Sequence, residues 1–364
     1  TTGGPMTVTS FTYAQHDRRM VFGPGVRNIL ASEIVSFAAK KVFLILDGGA
    51  LSLQSEIEKL IGSSLVTTWT DVQQHVPIAL AESARELVTA TGADLLVCVG
   101  GGSSTGLAKA IALSHRLPII AIPTTYAGSE QTTIYGLTGD RHKQTGSDPI
   151  VLPRVVLYDA ELTVGLPANV TGASAFNALA HSVESLYATG CNPITTAIAL
   201  EGVRAINRSL PKVMASPTDI EARGQLLYGA AMSGITLGDT APAFHHKICH
   251  VLGGTFGMVH ADAHSVVLPH AIAFNAPALP LEMSQLASAL DCRADDVAGS
   301  LWDLAKASGV PTSLADLGLR RDDLGEAATR AAAEIRTNPR TFTAGDIEHL
   351  LLDAFDGNRP KPIL

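Results

Sequence analysis

The chain has 364 residues, of which 46% are hydrophobic, 5% aromatic and 16% charged, and its length allows two domains with separate cores. That balance, with 33 glycines, reads as an α/β protein rich in tight turns and without extended disorder. A formal net charge of −8 argues against a nucleic-acid partner and against an anionic membrane surface, each of which needs a basic face, so a small-molecule substrate is expected.

The opening TTGGPM has no signal-peptide pattern, and Thr1 to Pro5 read as an expression scar ahead of Met6. Short apolar runs then alternate with helix-like segments: KVFLILD at 41–47, SLVTTW at 64–69, DLLVCVGGGSS at 94–104 and PIIAIPTT at 118–125. VFLIL and LLVCV are apolar at every position, as parallel strands covered on both faces require. IALAESARELVTATG, about 78–92, is an amphipathic helix closed by Gly92. The alternation predicts an α/β domain over 6–165 with a doubly wound, mostly parallel sheet. After VVLYDAELTVGLP (155–167) the texture changes to Ala-rich and Leu-rich helical stretches at 171–189, 193–208 and 218–238, so a second, all-α domain is expected over 166–364. No apolar run reaches the roughly 18 residues of a spanning helix. Cys98, Cys191, Cys249 and Cys292 form no CxxC pair and fit a reducing cytoplasm.

In DLLVCVGGGSSTGLAKAIA (94–112) three glycines stand at the carboxyl end of a buried strand and just before a helix. Backbone N–H groups and the helix dipole can there meet a pyrophosphate over Gly101, Gly102 and Ser103, although a tight turn without ligand gives the same pattern. Asp47 ends the first predicted strand, where a carboxylate can accept from an adenosine ribose. The order is reversed from the usual fingerprint, with the acid about fifty residues before the glycines rather than about twenty after them. PTTYAGSEQT (123–132) adds Thr124, Thr125 and Ser129 on the loop after the next strand. Asp47 favours NADH, while Gly48 and Gly49 leave room for the 2′-phosphate of NADPH.

GGGSSTGLAK, PTTYAGSE, YDAELTVGLP, FNALAHSVE, HKICHVLGG and NPRTFT, in this order over essentially the whole chain, resemble the iron-containing (group III) alcohol dehydrogenases. Within that superfamily HVLGG and VHADAHSVVLPH, with Asn177 and Gly106 where other branches carry Asp, are similar to the maleylacetate reductase branch. The resemblance implies a dehydroquinate synthase-like fold with a dinucleotide-binding domain over 6–165 and a substrate and catalytic domain over 166–364, a site in the cleft between the two and a homodimer. It also implies NAD(P)H-dependent reduction of the C=C bond of maleylacetate to 3-oxoadipate, in resorcinol- or hydroxyquinol-type aromatic degradation. Metal-dependent members hold one divalent ion through four positions that become Asn177, His181, His246 and His260 here, with His250 where proton transfer is usually assigned.

Six of the chain's 12 histidines fall within HHKICHVLGGTFGMVHADAHSVVLPH, 245–270. Three imidazoles suit Zn²⁺, but the Asn177 amide replaces a carboxylate and removes a charged oxygen donor, so no metal is expected to be required. The histidines instead read as proton donors and anion hosts for a small dianionic substrate: His250 first, then His246 and His264, as catalytic groups, with Asn177, His181, His245, Lys247, His260 and Arg336 binding substrate. Lys143 is a further cofactor-side candidate, flanked by Arg141 and His142, and Arg340 an alternative to Arg336. His270 reads as a packed residue and Cys249 as a small hydrophobe. The rival readings are a metal-dependent alcohol or glycerol dehydrogenase, a dehydroquinate synthase-like lyase, disfavoured by the scarcity of basic residues between 170 and 260, and a non-catalytic dinucleotide sensor.

Overall fold

The structure, a computed structural model, describes residues 11–139 and 143–362; the expected scar at Thr1 to Pro5 lies outside them. In chain order it runs β1 (Arg19–Phe22), α1 (Leu30–Ser36), β2 (Val42–Leu46), α2 (Gln54–Ile61), β3 (Leu65–Trp69), α3 (Ile78–Thr91), β4 (Leu95–Gly100), α4 (Gly102–His115), β5 (Ile119–Pro123), β6 (Ile134–Thr138), β7 (Lys143–Ser147) and β8 (Val155–Tyr158). Helices follow: α5 (Ala168–Ser185), α6 (Pro193–Ala215), α7 (Ile220–Asp239), α8 (Phe244–Phe256), α9 (His260–Asn275), α10 (Pro280–Leu290), α11 (Val297–Ala307), α12 (Leu324–Glu334) and α13 (Ala344–Phe355).

Six strands form one parallel sheet in the order β1-β8-β5-β4-β2-β3. All five residues of β2 and all six of β4 are buried, which is why both runs lack polar alternation. Along β2, Phe43 and Ile45 face the core under α3 and α4, while Val42, Leu44 and Leu46 face the one under α1 and α2. Gly92 ends α3 in the left-handed region at φ 63°, the role its position predicted. Two elements were not anticipated. β1 is short and polar at its start, and the antiparallel hairpin β6–β7 is too exposed for an apolar run.

The order of strands decides where a ligand can sit. From β2 the chain moves outward to β3 and then returns to β4 on the opposite side of β2, so the crossovers leaving β2 and β4 diverge. Such a switch point opens a crevice at the carboxyl ends of the two strands. Asp47 stands at one lip and Gly100 to Gly102 at the other. Across the crevice lies the helical layer, whose α5, α6 and α7 pack on one another around the large core shared with α3 and α4.

Candidate active site

The glycine loop is built by its neighbours. Asp47 accepts from the Gly101 N–H at 2.5 Å, and the Gly100 carbonyl accepts from the Thr124 N–H at 2.9 Å. Gly100 has φ 143° and a Cβ placed on it would come within 2.1 Å of the Asp47 carboxylate, so only glycine fits. A Cβ on Gly101 would crowd Thr125 at 3.2 Å. α4 begins at Gly102 with no side-chain cap, which leaves its first N–H groups directed at the crevice beside half-buried Ser103. The residues therefore fit a pyrophosphate. One expectation is corrected in part: Asp47 was read as a ribose acceptor, yet one of its oxygens is committed to the glycine turn, because β2 and β4 are adjacent.

The PTTYAGSE loop is held from beneath by a residue the sequence reading quoted but did not assign. Lys109 is fully buried and its Nζ donates to the carbonyls of Ser129, Thr132 and Ile134 and to the Thr132 hydroxyl, at 2.7–2.8 Å. Burial pushes its ammonium down to about 7, and the Glu130 charge opposes that shift. The available signal was a lone cation inside LAKAIAL. From the other side Arg223, 1% exposed, donates to Tyr126 Oη and Thr171 Oγ1, tying α7 and α5 to the loop. Lys109→Met is expected to cost about 3 to 5 kcal/mol, since three carbonyls and the Thr132 hydroxyl lose their buried donor. Urea denaturation checks this, and an unchanged midpoint would remove the lysine's structural role.

Opposite the loop, α5, α8 and α9 bring the histidines together. The sequence spacing shows why: positions 177, 181 and 184 share one face of α5, and 246 and 250 one face of α8. Asn177 reaches across the crevice, its Nδ2 donating to the Ala127 carbonyl at 3.4 Å. His181 Nδ1 is 2.7 Å from His246 Nε2, and His260 Nε2 is 2.9 Å from His264 Nε2. Ring centroids of His246 and His264 are 4.7 Å apart, and those of His250 and His260 5.6 Å.

Depth separates these candidates. His245 and His264 are 0% exposed, and His246 and His181 are also buried, whereas His250, His260, Asn177 and Lys247 are half-buried. Two expectations are therefore corrected. His245 and His264 were read as substrate-binding and catalytic groups, yet both lie in the interior behind the others. The histidines were also read as protonated anion hosts, but burial first, and their crowded neighbours second, push His181 and His264 well below the usual imidazole range. Burial likewise takes His245 down to about 3. These three imidazoles are neutral near pH 7. Glu184 was missed although it follows His181 at i+3. It is buried, accepts from the N–H groups of Ala243, His245 and His246 and from His246 Nδ1, and its carboxyl is held down at about 2; burial opposes that shift, and His246 and the backbone N–H groups overcome it.

Cys249 is fully buried with its thiol pushed well up by burial, as a small core hydrophobe would be. His270 is likewise packed, 5% exposed. Arg336 is exposed in the loop after α12, and Arg340 instead covers the Phe274 ring and donates to the Phe274 carbonyl at 2.6 Å. Arg141, His142 and the Lys143 side chain lie outside the described residues.

The donor set fits a nitrogen-preferring divalent ion. His245, His246 and His264 bring ring nitrogens within 4.8 Å of one another, neutral imidazoles are the ligating form, and Glu184 backs His246 as carboxylates back metal-bound histidines. Asn177 Oδ1 is buried without a hydrogen-bond partner, an uncharged oxygen where the metal-dependent pattern has a carboxylate.

Residues 17–160 match the model of the iron-containing alcohol dehydrogenases and residues 171–355 that of the C-terminal domain of the Fe-containing alcohol dehydrogenase family. The chain belongs to the iron-containing alcohol dehydrogenase family. It is an oxidoreductase. Within the family it is similar to maleylacetate reductases: 44% identical to that of Burkholderia cepacia, over 97% of this chain and all of the relative, and 43% to that of Delftia acidovorans, over 94% and 97%. The crystal structure of maleylacetate reductase from Agrobacterium tumefaciens superposes with a TM-score of 0.93 at 40% identity, covering 97% of this chain and 100% of that one. Among the described residues no helix is long and apolar enough to cross a membrane.

Proposed function

We propose that this oxidoreductase reduces the C=C bond of maleylacetate to 3-oxoadipate with NADH or NADPH, without an obligatory metal. The observation that carries the reading is Asn177, whose buried Oδ1 has no hydrogen-bond partner and offers an uncharged oxygen in place of a hard carboxylate. A bound reduced nicotinamide supplies the hydride, which the substrate accepts at the carbon β to its ketone. The adjacent carbon becomes part of an enolate, whose charge is delocalised and is stabilised by hydrogen bonds without a Lewis acid.

The chain's own residues divide the remaining work. Gly101, Gly102, Ser103, Thr124 and Thr125 hold the pyrophosphate, and the free oxygen of Asp47 faces the ribose. His250 polarises the ketone and returns a proton to the carbon next to it, with half-buried His260 beside it. Lys247, half-buried on α8, draws a carboxylate arm of the dianion. A divalent ion, where bound, would be held by His181, His246, His260 and Asn177 or by the deeper His245 and His264, and would act as a Lewis acid.

Homodimerisation through the sheet edge is part of this reading: β1 is an edge strand and leaves Met20 40% and Phe22 43% exposed. So is a division of labour between 6–165 and 166–364, and a reducing cytoplasmic setting, in which Cys98, Cys191, Cys249 and Cys292 stay as thiols. The test follows loss of reduced-cofactor absorbance with maleylacetate, before and after chelation, with metal analysis of the same sample. Turnover that survives metal removal is the expected result. Turnover of simple alcohols only, lost with a stoichiometric metal, would make the chain a metal-dependent alcohol dehydrogenase.

A further inference from the structure

We infer that Gly234 of α7 is a positioning residue: having no side chain, it seats the loop after β5 where that loop serves both the cofactor and the histidine cleft. The inference rests on the cofactor placement proposed above. Residues 124–131 of the loop lie between two walls. On one side they meet the glycine turn, where a Cβ on Gly101 would come within 3.2 Å of Thr125 and one on Gly102 within 3.6 Å of Ala127. The Ala127 carbonyl also accepts from Asn177 of α5. On the other side is α7, and there the contact is backbone on backbone.

Gly128 takes φ 80°, a left-handed conformation that favours glycine. A Cβ on Gly234 would come within 2.5 Å of the Gly128 carbonyl oxygen and 2.9 Å of its Cα. One turn further on, a Cβ on Gly238 would lie 3.1 Å from the Gln131 carbonyl oxygen. Backbone atoms cannot swing aside as a flexible side chain does, so a whole segment has to shift. α7 is not free to retreat. Ser233 is hydrogen-bonded to Ser182 of α5 at 2.8 Å, and a Cβ on Gly229 would already be 2.7 Å from Ile206 of α6. The far end of the loop is pinned as well, because Lys109 holds the carbonyls of Ser129 and Thr132. The displacement therefore falls on Ala127 and Gly128. Ordinary contact begins near 3.4 Å, so it amounts to roughly 1 Å, a misplacement that can cost about 100-fold in rate.

The test compares Gly234→Ala with Gly224→Ala. Both add a methyl group to α7 with a similar gain in helix propensity, but at Gly224 the new Cβ would meet Ala160 at an ordinary 3.8 Å. Three quantities are read: fluorescence titration with NADH or NADPH, whichever the wild type binds more tightly; hydrogen exchange of the cofactor-free protein in peptides covering 124–131; and kcat with maleylacetate. Gly234→Ala is expected to weaken cofactor binding about 10-fold, to speed exchange in that loop and to lower kcat about 10- to 100-fold, while Gly224→Ala stays within about 2-fold of wild type on each. A folded Gly234→Ala protein with wild-type cofactor affinity and loop exchange overturns the inference. An equal loss in both variants overturns it too, as an effect of α7 as a whole. If Gly234→Ala does not fold, Gly238→Ala decides, since its Cβ needs only a few tenths of an ångström of extra room; wild-type cofactor affinity there sinks the inference, and a loss of a few-fold upholds it. A wild type that binds cofactor but leaves maleylacetate unreduced, with the variants ordered as expected in cofactor affinity, would refute the substrate and not the positioning role.

Discussion

His250→Ala is expected to lower turnover by about two to four orders of magnitude, the range for losing a general acid, while affinity for the reduced cofactor stays within a few-fold. His250 lies one turn beyond His246 on α8, and the two ring centroids are 6.3 Å apart. What distinguishes it is depth: His245, His246 and His264 are buried beneath, and His250 and His260 form the layer nearer the crevice. A group that exchanges a proton with substrate has to be in that layer. Steady-state kcat and cofactor titration by fluorescence check the expectation. Near-wild-type turnover would remove His250 from the chemistry and leave His260 as the imidazole able to reach substrate.

Stability is expected to collapse in mild acid, with the largest change between about pH 6.5 and 5. His181 and His264 are held well below the ordinary imidazole value and His245 at about 3, chiefly by burial. The unfolded chain therefore binds more protons than the folded one whenever the pH lies below about 6.5 and above the folded values. In that window stability falls with falling pH, by about 1.4 kcal/mol per unit for each such group. By pH 5 His245, held at about 3, by itself removes about 2 kcal/mol, and His181 and His264 act in the same direction. Glu184 works against acid unfolding in the same direction only further down: its carboxyl is held at about 2, so its stabilising contribution is present above about pH 4.5 and is lost as pH falls toward 2. Chemical denaturation at pH 7 and pH 5 gives the answer. Equal midpoints would mean that the cluster opens to water without unfolding.

The fold was legible because its signals are local. VFLIL and LLVCV announce covered parallel strands, and IALAESARELVTATG closes at Gly92 because that residue can take a positive φ. β1 escaped notice because four residues ending a polar stretch carry no periodicity, and the β6–β7 hairpin because its pairing draws on no apolar face. The candidate site was legible in part. Motifs in register along the chain named Gly101, Thr124, Asn177, His246 and His250, since each motif is short enough to be read from neighbouring letters.

Residue identity and spacing, set by the sequence alone, determined the α/β-then-helical order, the glycine turn before α4 and the replacement of a carboxylate by Asn177. Only the tertiary structure decided what those groups are. Strand order placed Asp47 against Gly101 across more than fifty intervening residues, and depth divided the histidines into a buried interior set and an outer pair. Glu184 and Lys109 acquired their roles in the same way, from partners on other elements. The physical reason is that charge state and tautomer depend on solvent exclusion and on the nearest acceptor, and both are properties of packing between distant segments.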